Sequence, residues 1–129
     1  MCDPLADITW LFRGVPRESP EVKEVRAIGE VRPPRPDRIG EYYRSVHSAG
    51  DTETGYTSWS TDRSMAEAAG EASSDDYNLS GRIVIFRVRL ASISHDRIFL
   101  GLEDEDEVLI EGTVEDVSIS TSHADEEEP

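Results

Sequence analysis

Three short motifs contain residue types that could act together on a sugar linked to phosphate. They are Leu11-Phe12-Arg13-Gly14, Thr57-Ser58-Trp59-Ser60-Thr61-Asp62 and Glu105-Asp106-Glu107-Val108-Leu109-Ile110. An arginine fork binds phosphate oxygens through two parallel hydrogen bonds, and a serine hydroxyl can orient a carboxylate. A carboxylate beside a sugar carbon stabilises the positive charge that develops when a leaving group departs. The motifs therefore favour bond cleavage at a sugar carbon close to a diphosphate.

The third motif combines a pair of carboxylates with the start of an apolar strand. Because side chains alternate along a strand, Glu105 and Glu107 are predicted to share one face, with Asp106 on the other. An acidic run of this kind is by itself typical of a solvated turn. Here it leads directly into Val108-Leu109-Ile110, so Glu107 is expected where a strand enters the core and can be held rigidly.

The first two motifs also have ordinary structural interpretations. Asp62 can cap a following helix, and arginines on strands commonly face solvent. Capping does not explain why Ser58 and Ser60 alternate with a tryptophan. Gly14 directly follows Arg13 and would allow another part of the chain to approach closely beside the cation.

Periodicity and turn signals predict mixed α and β structure. A helix is expected from Asp37 to just before Gly50, and a second begins after Asp62 with Met65, Ala66 and Ala69 on one face. We predict mostly loop for Arg17 to Pro36, with one helical turn near Val22 to Arg26, and a loop for Ser73 to Gly81. The predicted strands are Ile8–Arg13, Tyr56–Ser60, Arg82–Leu90, Ile98–Leu100, and a pair, Glu107–Ile110 with Val114–Ile119, joined around Glu111-Gly112-Thr113.

Composition narrows the possible partners. The net charge is -15, from 28 acidic and 13 basic residues. Such a field repels nucleic acid and anionic membranes, so neither is expected as a direct partner. No apolar run approaches the roughly 18–20 residues of a membrane span, and the N-terminus lacks a secretory pattern. Cys2 is the only cysteine, which excludes a disulfide framework, and three scattered histidines do not form a zinc site. A metal-free protein in the cytoplasm, or delivered into a target cytoplasm by a route not visible in the sequence, is predicted.

In this order, the three motifs resemble those of the Arg-Ser-Glu class of mono-ADP-ribosyltransferases. The similarity extends from about Trp10 to Ile119, with Trp59 in place of the threonine usual between the two serines. The resemblance implies an α+β fold, a split β-sandwich of two mostly antiparallel sheets with a few flanking helices. It also implies a single catalytic domain over residues 1–119, followed by an acidic tail, 120–129, whose composition predicts disorder.

The resemblance implies that NAD is the substrate and that no metal is needed. The residues expected to bind NAD are Arg13, Gly14, Ser58, Trp59 and Ser60. Glu107 would stabilise the oxocarbenium-like centre as nicotinamide leaves, and Ser58 would position it. Glu105 would orient or deprotonate the attacking group, and Phe99 would contact the acceptor.

The activity so implied is transfer of ADP-ribose from NAD to an intracellular acceptor, with a protein arginine side chain favoured. A toxin, a phage-encoded effector or a conflict-system effector would suit this activity, and such a protein could have a cognate inhibitor. Two alternatives stay open at the level of sequence. One is an NAD glycohydrolase with water as acceptor; the other is a non-enzymatic acidic interaction protein, such as a nucleic-acid mimic, to which the charge of -15 points.

Overall fold

The computed structural model describes residues 5, 7–101 and 106–120. It is an α+β fold of three α-helices and six strands, which confirms the predicted class. The elements in chain order are β1 (Trp10–Pro16), α1 (Pro20–Ile28), α2 (Glu41–Ser48), β2 (Tyr56–Ser60), α3 (Arg63–Asp76), β3 (Ile83–Arg89), β4 (Ile98–Leu100), β5 (Glu107–Glu111) and β6 (Ser118–Ser120).

The six strands form one antiparallel sheet in the order β4-β5-β2-β1-β3-β6. β1 pairs with β3 along its whole length, and β2 pairs with β5 along all five of its residues. Between β1 and β2, in contrast, the pairing is limited to Phe12 opposite Ser60. We call this weak junction the seam. The sheet is continuous across it, so the predicted arrangement of two separate packed sheets is not confirmed.

The core lies on one face of the sheet, where alternate apolar residues of the central strands meet α1. Its members include Leu11, Val22, Val25, Trp59, Phe86, Val88, Val108 and Ile110. The opposite face carries α2 and α3. A side chain at Gly14 would overlap the carbonyl oxygen of Ala66, so this glycine lets α3 lie directly on β1. The close approach expected beside Arg13 is thus made by the backbone of α3.

The segment predicted to be mostly loop contains α1, which includes the single helical turn predicted near Val22 to Arg26 but extends beyond it at both ends. The Ser19 side chain accepts a hydrogen bond from the Glu21 amide, Pro20 occupies the first turn, and Gly29 ends the helix at a φ of 67°. Proline in the first turn of a helix removes no hydrogen bond. The cap signals at both ends therefore outweigh the many prolines nearby.

The predicted hairpin at the end of the chain was wrong. β6 pairs with β3 at the far edge of the sheet, and Val114 forms an isolated bridge with Val31. Val114 and Val117 are buried in the core, so the chain after β5 crosses the core face instead of turning back. α3 likewise extends through Asp76 into the predicted loop, where the buried hydroxyl of Ser74 accepts a hydrogen bond from the Gly81 amide.

Candidate active site

A narrow cleft lies beside the seam, between α3 and the strands β1, β2 and β5. Its free volume is about 80 Å³, smaller than the several hundred Å³ typical of pockets that enclose a whole ligand. Six of the eight residues predicted to form a site line it: Arg13, Gly14, Ser58, Trp59, Ser60 and Glu107. Phe12, Met65, Ala66 and Ala69 complete the lining. The structure thus brings the three sequence motifs to one place.

Glu107 is held through both oxygens of its carboxylate. Ser58 Oγ donates to Oε2 at 2.6 Å, and Ser48 Oγ donates to Oε1 at 3.2 Å. The first distance is typical of a hydroxyl that donates to an ionised carboxylate. Ser58 is on the neighbouring strand, and Ser48 is the last residue of α2, which covers this end of the sheet. Two separate elements therefore fix the orientation of one acid.

Arg13 lies on the core side of β1 and reaches the seam. Its Nε and Nη2 atoms donate to the two carboxylate oxygens of Glu21, at 2.8 and 2.9 Å. Its Nη1 atom donates to the backbone carbonyl oxygen of Ser58 at 3.1 Å. The guanidinium expected to bind phosphate is therefore bound to Glu21 of α1. Its third nitrogen links β1 to β2 beside Glu107.

Trp59 and Ser60 are both buried, but they have different partners. Trp59 is only 2% exposed, and its ring belongs to the core, with Nε1 donating to Thr57 Oγ1 at 2.8 Å. Ser60 is opposite Glu107 in the sheet, and its hydroxyl accepts a hydrogen bond from the Asp62 amide at 3.0 Å. Trp59 thus supports the cleft from behind, whereas Ser60 helps start the turn into α3.

Phe99 does not line the cleft. It lies in β4, where its ring makes an edge-to-face contact with Tyr56 at 5.9 Å between centroids. The guanidinium of Arg44 lies 4.0 Å above the Phe99 ring. Glu105, the other predicted catalytic carboxylate, falls outside the described residues.

Three residues near the cleft were not identified from sequence: Glu21, His47 and Ser48. His47 is 6% exposed, and its Nδ1 lies 2.8 Å from Thr54 Oγ1. Burial lowers the pKa of His47; the negative charge of Glu107 opposes this shift, and the positive charge of Arg13 adds to it. A neutral imidazole is therefore within electrostatic reach of both charged residues. The hydrogen bond between Ser48 and Glu107 could not be predicted from a local sequence pattern, because the two residues are 59 positions apart.

The described residues contain no group of three or more histidine, cysteine, aspartate or glutamate side chains placed to hold a metal ion. Within the same part of the chain, no helix is both long and apolar enough to cross a bilayer. Comparison with protein-family models, with curated proteins and with solved structures found no match in any of the three.

Proposed function

We propose that this chain is a mono-ADP-ribosyltransferase that cleaves NAD at the bond between nicotinamide and ribose. The observation that carries the proposal is the 2.6 Å hydrogen bond from Ser58 to Glu107, in the same cleft that Arg13 lines. A rigid carboxylate, a hydroxyl and a guanidinium at one strand junction are the groups that this reaction needs. The order of the motifs in the chain points the same way.

In the proposed reaction, the bond between the ribose C1′ carbon and the nicotinamide nitrogen breaks. Its electron pair leaves with nicotinamide, which becomes neutral, and C1′ acquires oxocarbenium character. Glu107 accepts a hydrogen bond from a ribose hydroxyl and stabilises the positive charge electrostatically. Ser58 and Ser48 hold the carboxylate in place, so little reorganisation is needed as the charge develops.

Arg13 has a positioning role in this proposal. Its bond to the Ser58 carbonyl fixes β2 relative to β1, and thereby the Ser58 hydroxyl relative to Glu107. Direct contact of Arg13 with the NAD phosphates requires the phosphate to displace Glu21, because that carboxylate occupies two of the three guanidinium nitrogens. The split sandwich implied by the resemblance would correspond to separation of the sheet halves at the seam.

The acceptor side of the reaction rests on the resemblance. Glu105 would activate the attacking group, for which an arginine side chain of an intracellular protein is favoured. Phe99 would contact that acceptor from β4, beside Arg44. A role as a toxin or an effector, with a cognate inhibitor, belongs to the same proposal.

The test is release of nicotinamide from NAD by the purified chain, with and without cell lysate. We expect Glu107→Gln to lower release by at least about a hundredfold, because loss of one transition-state donor or charge commonly costs this much. The matched control is Glu115→Gln, which makes the same change from carboxylate to carboxamide at an exposed position just beyond β5. It should keep full activity.

The same assay separates the alternatives. Release that needs lysate supports transfer to a side chain, whereas equal release without lysate supports NAD glycohydrolase activity. If neither condition gives release and NAD does not raise the unfolding temperature, the enzymatic proposal fails. The acidic interaction protein, based on the charge of -15, would then be the better explanation.

A further inference from the structure

A row of facing residues crosses the sheet from the cleft toward β3. Residues directly opposite each other on antiparallel strands lie on the same face, and the row consists of Glu107, Ser60, Phe12, Arg87 and Ser118. Neighbouring strands lie about 4.8 Å apart, so the backbone at Arg87 is about 14 Å from that at Glu107. This distance is comparable with the length of an extended nucleoside diphosphate. The row therefore continues the face of the cleft in one direction.

At the far end of this row, two arginines stack on a tryptophan. Trp10 is opposite Arg89 and lies two residues before Phe12 in β1, so it shares the face of the cleft. The guanidinium carbons of Arg87 and Arg89 are each 4.5 Å from the centroid of the Trp10 ring. We call these three residues the Trp10 cluster. It combines a flat aromatic surface with two cations.

Arg87 differs from the other arginines in its partners. Its Nε atom is buried and has no hydrogen-bond acceptor among the described residues. The Nε atom of Arg63 is in the same position, but Arg63 donates through Nη1 to Ser120 Oγ at 2.6 Å. Each of the other half-buried arginines in the described ranges donates at least one hydrogen bond: Arg13, Arg38, Arg44, Arg63 and Arg97. A buried donor without an acceptor is unfavourable, and a shift of the Arg87 side chain toward a bound anion is one way to satisfy it. The chain has 28 acidic residues, yet no described carboxylate pairs with Arg87. This favours a ligand as the acceptor.

We propose that the Trp10 cluster is a nucleotide subsite that binds the adenosine and phosphate half of NAD; the choice of ligand rests on the proposed function. The purine stacks on the indole or on a guanidinium plane, as bases do on aromatic and arginine side chains. The fork of Arg87 donates to phosphate oxygens. Arg89 is exposed, so it can move away from Trp10 to admit the base.

The small volume of the cleft is consistent with binding of only the nicotinamide-ribose end there and of the adenosine half at the Trp10 cluster. About 80 Å³ beside Glu107 is enough for part of the nicotinamide-ribose end only. The rest of the molecule then extends past Phe12 to the Trp10 cluster. A nucleic-acid polymer is a poorer ligand for the same surface, because a net charge of -15 repels its many phosphates.

The test is titration of ADP into the full-length chain, followed by the indole N–H resonances in two-dimensional NMR. ADP carries no nicotinamide, so binding is measured without cleavage. The Trp10 resonance, assigned with Trp10→Phe, should shift on addition of ADP more than on addition of inorganic phosphate or adenosine alone. The buried Trp59 is the internal reference. Arg87→Gln should weaken ADP binding by at least roughly tenfold, which corresponds to about 1.4 kcal/mol.

Arg82→Gln is the matched control, because it removes an exposed arginine just before the same strand. Equal weakening in the two variants, or a Trp10 resonance that does not respond to ADP, would overturn the subsite. If Arg87→Gln loses its native circular dichroism, Arg89→Gln, at an exposed position, is used instead. It should bind ADP at least about threefold more weakly than Arg82→Gln does. Equal binding by these two variants would count against the subsite.

The subsite and the proposed activity can fail separately. If NAD is cleaved but Arg87→Gln leaves both ADP binding and the KM for NAD unchanged, the subsite is wrong and the activity stands. If ADP binds at Trp10 and no nicotinamide is released under any condition, the nucleotide site stands and the activity is wrong. With both correct, Arg87→Gln raises the KM for NAD much more than it lowers kcat, because the contact is distant from the reacting bond.

Discussion

Gly101 lies directly against the carboxylate of Glu107. The Gly101 amide donates to the Glu107 carbonyl oxygen at 2.8 Å, and a methyl group at position 101 would overlap the Glu107 side chain at Oε1. The absence of a side chain after β4 therefore sets the space in which the carboxylate can point toward Ser58.

Gly101→Ala is predicted to lower NAD cleavage by roughly tenfold or more while changing the free energy of unfolding by less than about 1 kcal/mol. The overlap involves the end of a flexible side chain, so Glu107 can move aside, but it then loses its bond to Ser58. Nicotinamide release and urea unfolding measure the two quantities. Leu100→Ala, at an exposed neighbouring position, is the control; a similar loss there would show that β4 as a whole is sensitive.

The two serines that hold Glu107 are predicted to contribute unequally. Ser58→Ala removes the 2.6 Å bond and should reduce kcat more than Ser48→Ala, which removes a bond of 3.2 Å. The shorter bond is the stronger charge-assisted one. Ser45→Ala, at an exposed position of α2, serves as control for changes in the helix. A larger kcat effect from Ser48→Ala would contradict this order.

In the proposed reaction, an NAD phosphate would reach the fork of Arg13 only by displacing Glu21. Glu21→Gln keeps the shape of the side chain but weakens its bond to the guanidinium, so the KM for NAD should fall while the free energy of unfolding falls by roughly 1 kcal/mol. Steady-state kinetics and urea unfolding test both parts. The matched control is Glu24→Gln, which alters a surface pair with Arg32. An unchanged or raised KM in Glu21→Gln would mean that phosphate does not use this fork.

Burial of His47 gives the protein a specific dependence on pH. Its folded pKa is lowered, mainly by burial, so the folded state resists a proton that the unfolded state accepts below the ordinary value of 6.5. The His47 contribution to stability is therefore present above pH 6.5 and is lost as the pH falls toward the lowered folded pKa. The slope is at most about 1.4 kcal/mol per pH unit for one proton.

Urea unfolding of the wild type and of His47→Gln between pH 8 and about pH 5 isolates this contribution. The free energy of unfolding of the wild type should decline more steeply than that of the variant as the pH falls below 6.5. His95→Gln, at an exposed histidine, should follow the wild type. Parallel curves for the wild type and His47→Gln would contradict the prediction.

Local sequence patterns were sufficient to predict the strands and the helix cap that carry the motifs. The predicted strands at Tyr56–Ser60 and Glu107–Ile110 are present, and Asp62 caps α3 as expected. Their catalytic roles stay predictions. The sequence could not indicate that α2 docks over Glu107, because that contact depends on tertiary packing between residues far apart in the chain.

The errors have physical causes of the same kind. The prolines between Arg17 and Pro36 predict a loop, although Pro20 lies in the first turn of α1, where a helix tolerates proline. Gly112 looked like the turn of a hairpin, but burial of Val114 and Val117 draws the chain across the core face. Burial of a few apolar side chains decided this topology, and it is not readable from turn residues.

The seam has a consequence for how much the site can vary. Where β1 and β2 separate, Ser58 is not in register with any residue of β1, and its carbonyl oxygen accepts a hydrogen bond from the Arg13 side chain. Main-chain groups at such a position belong to every amino acid, so substitution cannot remove them. Part of the polarity at this strand junction therefore comes from a backbone carbonyl group that the topology leaves there. Related chains could replace many neighbouring side chains and still keep it.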